Sequence, residues 1–289
     1  MNLIFGGTNS APLAKEIALR SKSQHAIMRV NHFPDGELYI RFMSSVKQKN
    51  IVIVNSMQPN PQEALGEILF AALTARAQGA KKIVLIIPYM GFMRQDKQFH
   101  TGESVSSQSM GFLLSKVADK IITIDPHLHR YHSLSQVFSI PAIHLSAVSA
   151  LAQHIKEHWT RATIIGPDGE SNQWATAVAK IADCGVVIVK KKRYTANKVR
   201  TKLVDSGFKD KTVIIVDDII STGHTMHEVV KQLRAIGAAH IICMGVHGVF
   251  ASGALVRLQK AGAQVITTDT IINPTSKISV ATLLAEAIQ

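Results

Sequence analysis

At 289 residues and 46% hydrophobic composition the chain has room for one large domain or two ordinary ones and enough apolar side chains to bury a core, so it reads as globular. The formal charge of +12 asks for an anionic partner, yet aromatics are only 6% of the chain and the densest basic run, Lys190-Lys191-Lys192-Arg193, is four residues long. That is not the pattern of a nucleic-acid module, and small polyphosphate ligands account for the charge equally well. Apolar runs fall far below the roughly 18 residues of a membrane helix, no secretory pattern opens the chain, and Cys184 and Cys243 both have apolar settings. A cytoplasmic protein with two buried, reduced thiols is expected.

In chain order, Met1 to Phe5 runs strand-like into Gly6-Gly7, and Asp35-Gly36 is a turn pair before the alternating Leu38-Tyr39-Ile40-Arg41-Phe42, which predicts a β-hairpin. Strand-like runs then alternate with helical patterns: Ile51 to Asn55, Glu63 to Gln78, Ile83 to Pro88, Gln108 to Val117 and Lys120 to Ile124. That alternation predicts β-α-β units and a parallel sheet. The helix from Glu63 has Asn60 as cap, Pro61 in its first turn, Glu63 placed to close a capping box, and a stop at Gly79. A helix stop before a strand recurs as Gly79-Ala80, Gly237-Ala238 and Gly262-Ala263. Its presence in both halves predicts two similar doubly wound α/β domains in tandem, with the boundary near Ser146 to Ala152, after the strand-like Pro141 to Leu145. The expected division is 1–147 and 148–289, with the amphipathic Val280 to Ile288 as a last helix free to pack on the first domain.

Thr212 to Val216 has the continuous apolar character of a buried parallel strand, and Asp217-Asp218 are expected at its carboxyl end, where α/β proteins bind ligands. Ser221, Thr222, Gly223, His224 and Thr225 then supply three hydroxyls and a glycine, and Met226 to Arg234 has helical spacing, so backbone N–H groups converge on an anion. Two carboxylates beside an anion loop repel its ligand unless they serve another part of the same molecule. Vicinal sugar hydroxyls donate to carboxylates while the loop donates to a phosphate, and ribose 5-phosphate carries both groups. A capped strand-to-helix turn without a ligand is the plain alternative. The segment resembles the phosphoribosyl-diphosphate loop shared by type I phosphoribosyltransferases and ribose-phosphate pyrophosphokinases, with His224 where a small residue is usual.

Other segments separate those two families. Asn31-His32-Phe33-Pro34-Asp35-Gly36-Glu37 is similar to the Phe-x-Asp-Gly-Glu hairpin of the pyrophosphokinases, a resemblance that implies stacking of Phe33 on the adenine of ATP with Asp35 and Glu37 near it. Pro88 to Lys97, alone an ambiguous charged loop, resembles the family's Pro-Tyr-x-x-x-x-Arg-Gln-Asp segment, which makes Arg94, Gln95 and Asp96 ATP contacts. Asp125 to His132 holds three histidines, but no cysteine is near and their spacing is not i, i+4, so scattered surface histidines are the plain reading. The family has Asp-x-His here, implying that His127 helps to hold Mg-ATP. Gly166-Pro167-Asp168-Gly169-Glu170-Ser171 is similar to the archaeal-type variants and implies that Asp168 faces the ribose and its metal. Lys190 to Arg193 follows the strand-like Val186 to Val189 where the family keeps a catalytic lysine and arginine; the best alignment gives Lys191 and Arg193, with Lys192 next.

The resemblance covers essentially the whole chain. It implies tandem parallel-sheet domains of the type I phosphoribosyltransferase kind with an N-terminal β-hairpin, an ATP-binding first domain and a ribose 5-phosphate-binding second domain. It further implies Mg²⁺, a homo-oligomer, and transfer of the diphosphoryl group of ATP to the 1-hydroxyl of ribose 5-phosphate. The loop after Arg193, Tyr194 to Asn197, is expected to close over the site. The rivals are a phosphoribosyltransferase, a catalytically silent relative, which the cation pair counts against, and a basic nucleic-acid-binding protein.

Overall fold

The computed structural model describes residues 2–169, 171–188, 191–195, 198–201 and 207–288, with backbone alone over 188–201. The chain divides into two compact units, Met1–Ser146 with Thr270–Ile272 and Val280–Gln289, and Ala147–Asp269 with Asn273–Ser279.

The first unit begins with β1 (Asn2–Gly6), α1 (Ala11–Arg20) and β2 (Gln24–Ala26), followed by the antiparallel pair β3 (Met28–His32) and β4 (Leu38–Phe42). It continues with β5 (Asn50–Val54), α2 (Pro61–Ala77), β6 (Lys82–Ile87), α3 (Ser106–Val117), β7 (Lys120–Ile124) and β8 (Ala142–Leu145). Its sheet runs β2-β1-β5-β6-β7-β8 with every pairing parallel. Central strands such as β5 and β6 are buried along almost their whole length, as helices on both faces require, so they carry continuous Ile, Val and Leu rather than alternation. Helix α2 has Pro61 in its first turn as expected, but Asn60 makes no side-chain cap bond; its amide donates instead to Glu63 Oε2 at 3.0 Å. The expected capping box is therefore replaced by a side-chain pair on the surface. Gly79 ends this helix in the left-handed region, at φ +84, where a Cβ would be strained.

The second unit holds α4 (Val148–His158), β9 (Thr163–Gly166), α5 (Asn172–Ala182), β10 (Gly185–Ile188) and the antiparallel pair β11 (Lys191–Thr195) and β12 (Lys198–Thr201). It goes on through β13 (Thr212–Ile220), α6 (His224–Ile236), β14 (His240–Gly248), α7 (Ala254–Lys260), β15 (Gln264–Thr268) and β16 (Ser276–Ile278). Its sheet runs β10-β9-β13-β14-β15-β16, again parallel throughout. Numbered within its own unit, each sheet has the order 2-1-3-4-5-6 with an antiparallel pair inserted after the second strand. The two halves are thus copies of one topology. Val213 and Ile215 from β13 pack with Val229, Val230 and Leu233 from α6 and Leu258 from α7. Each such fully buried aliphatic side chain stabilises the unit by about 1.5–3 kcal/mol.

The last helix, α8 (Ala281–Ala287), belongs to the first unit and packs on α1. Asn2 Nδ2 donates to the Ile288 carbonyl at 3.2 Å, and Lys120 Nζ to that of Ala287 at 3.0 Å. Both cysteines are free thiols; Cys243 is buried, whereas Cys184, expected inside, is only half-buried because it follows the left-handed Asp183 that ends α5. Among the described residues no helix is long and apolar enough to cross a membrane.

Candidate active site

The order 2-1-3 places a switch point between β9 and β13, where connections leave in opposite directions; in open α/β sheets ligands bind beyond the strand ends at such a point. Both loops there carry expected site residues. After β9, Asp168 closes a local ring with Ser171: the Ser171 N–H and hydroxyl donate to Asp168 Oδ1 at 3.1 and 2.8 Å, and the Asp168 N–H donates to Ser171 Oγ at 3.0 Å. This ring fixes the Asp168 carboxylate at the start of α5. Glu170 lies outside the described residues.

On β13 the structure corrects the expected strand end. Asp217 and Asp218 do not follow the strand but lie within it, because β13 keeps pairing with the equally long β14 through Asp217↔Gly245 and Ile219↔His247. Gly245 is needed at that crossing: a Cβ there would stand 2.7 Å from Ile220 Cγ1. Both aspartates are half-buried, and their carboxylates accept from neighbouring backbone, Asp218 N–H to Asp217 Oδ1 at 3.1 Å and Ile219 N–H to Asp218 Oδ1 at 2.7 Å. Burial first, then the charges of Asp218 and Asp168, push the Asp217 carboxyl well above the usual carboxylate range. The switch point therefore concentrates negative charge that hydroxyl donors or a cation would relieve.

The anion loop follows at once. Gly223, at φ +67, is the cap of α6, and His224 is the helix's first residue. The N–H groups of that first turn point along the helix axis and, with the helix dipole, favour an anion. Ser221 and Thr225 are half-buried, while Thr222 and the His224 side chain are exposed. The unusual His224 thus stands clear, and Gly223 is the position that needs a missing side chain: a Cβ would be 3.2 Å from Ala254 Cβ. Arg257 on α7 grips the loop from behind, donating through Nη1 to the Thr222 carbonyl at 2.6 Å and through Nη2 to that of Ser252 at 2.8 Å. Sequence reading missed Arg257; only its place on a helix following this loop would have signalled it.

The corresponding switch point of the first unit, between β1 and β5, is closed on the chain's own carboxylate. The buried Glu67 of α2 accepts the Thr8 N–H at 2.9 Å, Asn55 Oδ1 accepts the Asn9 N–H at 3.0 Å, and a Cβ on Gly7 would be 2.5 Å from Glu67 Oε1. Burial pushes Glu67 above its ordinary range. An anion-accepting loop exists in both units, but in the first it is already satisfied from within.

The remaining expected residues of the first unit are on the hairpin and the loop after β6. Between β3 and β4 the turn is closed by the Phe33 N–H on the Glu37 carbonyl at 2.8 Å and the Gly36 N–H on that of Phe33 at 2.9 Å, with Gly36 at φ +91. Phe33 is 50% exposed, its edge against Tyr39 with centroids 5.7 Å apart, and Asp35 and Glu37 are exposed as well. After β6, Arg94 is exposed and Gln95 accepts the Ser106 hydroxyl at 2.6 Å. Asp96 is different: its side chain is 1% exposed and receives Arg130 Nη1 at 2.7 Å, while its carbonyl accepts the Tyr131 hydroxyl at 3.2 Å. That pair joins the Arg94 loop to the segment bearing His127, a link that sequence spacing does not reveal. His127 lies edge-on to His129 at 4.0 Å between centroids. In the second unit, Lys191 and Arg193 are on β11, opposite Thr201 and Val199 of β12. Ala196 and Asn197 of the expected closing loop lie outside the described residues.

A doubly wound parallel sheet with paired aspartates entering an anion-binding helix start at its switch point defines a phosphoribosyl-handling protein of the type I phosphoribosyltransferase fold. Residues 2–117 match the N-terminal domain of ribose phosphate pyrophosphokinase, and residues 133–280 match the phosphoribosyl transferase domain. The chain belongs to the ribose-phosphate pyrophosphokinase family. It is similar to the ribose-phosphate pyrophosphokinase of Methanobrevibacter smithii, 33% identical over 99% of this chain and 100% of that one. Ribose-phosphate pyrophosphokinase 1 of Archaeoglobus fulgidus is 33% identical over 100% of both chains. Among solved structures, the phosphoribosylpyrophosphate synthetase of Mycobacterium smegmatis is 29% identical with a TM-score of 0.84, covering 100% of this chain and 98% of that one.

Proposed function

We propose that the chain transfers the intact diphosphoryl group of Mg-ATP to the 1-hydroxyl of ribose 5-phosphate, giving 5-phosphoribosyl 1-diphosphate and AMP. The 1-oxygen attacks the β-phosphorus, the bond from that phosphorus to the α–β bridging oxygen breaks, AMP leaves with the electron pair, and the hydroxyl proton passes to solvent. The observation that carries this reading is the second unit's switch point, where Asp217 and Asp218 stand directly before the Ser221 to Thr225 anion loop. The carboxylates accept the ribose hydroxyls, and the loop, with Gly223, His224 and Thr222 in it, donates to the 5-phosphate. The second unit is the ribose 5-phosphate side and the first the ATP side, with Phe33 stacking on adenine and Asp35, Glu37, Arg94 and Gln95 around the nucleotide. Asp96, buried against Arg130, positions this loop.

The transition state spreads negative charge over phosphoryl oxygens, so positioning and cations matter more than a strong base. Lys191 and Arg193 supply that charge. The carboxylates of Asp217, Asp218 and Asp168 suit a hard divalent cation; within the second unit Asp168 would help to hold Mg²⁺ on the ribose side, and within the first His127 would help to hold Mg-ATP, the ion neutralising phosphoryl oxygens when bound. Among these, Asp168 offers oxygen, the donor Mg²⁺ prefers, and His127 offers nitrogen. The protein acts in the cytoplasm as a homo-oligomer. The test is incubation with ATP, Mg²⁺ and ribose 5-phosphate: AMP is expected only when ribose 5-phosphate is present. No AMP across phosphate and metal conditions would overturn the proposal, and turnover of 5-phosphoribosyl 1-diphosphate with a nucleobase, independent of ATP, would mark a phosphoribosyltransferase.

A further inference from the structure

His154, Glu157 and His158 occupy positions i, i+3 and i+4 of α4, hence one side of one helix, and the site described above uses none of them. One ligand atom from each lies within 4.8 Å of the others. The imidazoles stack with centroids 4.1 Å apart. His158 Nδ1 lies 2.8 Å from the His154 carbonyl oxygen, and as a donor there it leaves the Nε2 lone pair for another partner. Ligating histidines are held this way, with the second ring nitrogen donating to backbone. Glu157 is oriented too, since Gln153 Nε2 donates to its Oε1 at 2.8 Å.

We propose that this side of α4 binds a divalent transition-metal ion of the zinc, copper and nickel class through His154, Glu157 and His158. Two imidazoles and one carboxylate favour such ions over Mg²⁺ or Ca²⁺, which require oxygen donors, and they leave a coordination position for water. Glu157 and His158 are exposed, so the ion clamps the last turn of α4 in contact with solvent. The site is independent of the diphosphoryl transfer.

Trp159 reports on it, with its ring centroid 5.5 Å from that of His158 and 5.9 Å from that of His154. In a Trp174→Phe background, which leaves Trp159 as the sole tryptophan, Ni²⁺ is titrated while tryptophan emission is followed. A saturable quench at one ion per chain is expected, reversed by Zn²⁺, which competes without quenching. It is lost in His154→Ala and in His158→Ala, persists in His127→Ala, and shifts to about 10-fold higher Ni²⁺ in Gln153→Ala. Far-UV circular dichroism verifies that each variant is folded. A quench that does not saturate, that survives unchanged in either α4 histidine variant, or that disappears in His127→Ala overturns the proposal.

Discussion

Asp217→Asn separates what the switch point does for the fold from what it does for the ligand. A carboxyl raised in the folded state binds its proton more tightly there than in the unfolded chain. Folding stability therefore falls as pH rises from the unfolded value, about 3.9, through the folded value, and the loss is complete above it. Burial, Asp218 and Asp168 together raise Asp217, so at neutral pH the ligand-free protein carries this cost in full only once the carboxyl has ionised. Asparagine keeps the size, removes the charge and erases the fall. Relieving a functional site in this way is worth about 0.5–2 kcal/mol, and with about 2–4 °C per kcal/mol for units of this size the melting midpoint rises by about 1–8 °C. Above the folded value, where the carboxyl is ionised, the same change removes a charged acceptor worth about 1.5–3 kcal/mol, so affinity for ribose 5-phosphate drops about 10- to 150-fold there. Thermal unfolding of parent and variant between about pH 5 and 8, with calorimetric titration of ribose 5-phosphate, measures both. A variant that melts lower than its parent at neutral pH, or that keeps the parent's pH slope, refutes the account of charge crowding.

Gly223→Ala puts a side chain at φ +67 and 3.2 Å from Ala254 Cβ; it is expected to cost about 1–2 kcal/mol in denaturant unfolding and to raise KM for ribose 5-phosphate while KM for ATP stays as it was. Arg130→Met strands the buried Asp96 carboxylate. Since Arg130 is itself half in solvent, the loss is about 1–3 kcal/mol, and adding Asp96→Asn is expected to recover most of it, which a double-mutant cycle in urea checks.

The tandem topology was legible because both halves carry the same punctuation: glycines that end helices at Gly79, Gly237 and Gly262, each in the left-handed region in the structure. The anion loop was legible because its hydroxyls, glycine and helix start are contiguous. What could not be read were effects decided by residues far apart in the chain. β13 runs on through Asp217 and Asp218 because β14 offers the partner, and a single apolar run gives no sign of its neighbour's length. Asp96 looks like one more polar residue of the Arg94 loop until Arg130, 34 positions away, is found against it. Glu67 sits in a helical pattern as an ordinary surface acid, yet it is buried where the β1 loop needs an acceptor. His224 is the residue that departs from the usual pattern, whereas the packing against α7 constrains Gly223 instead.

The path of the chain's last residues bears on the order in which the protein can be made. Thr270–Ile272 and Val280–Gln289 complete the first unit, where Asn2 is tied to Ile288 and the Ser56 hydroxyl donates to the Thr270 carbonyl. A ribosome therefore delivers the whole of the second unit's sheet before it delivers the helix that covers α1. The N-terminal half must wait, through the synthesis of everything between, with part of its surface bare.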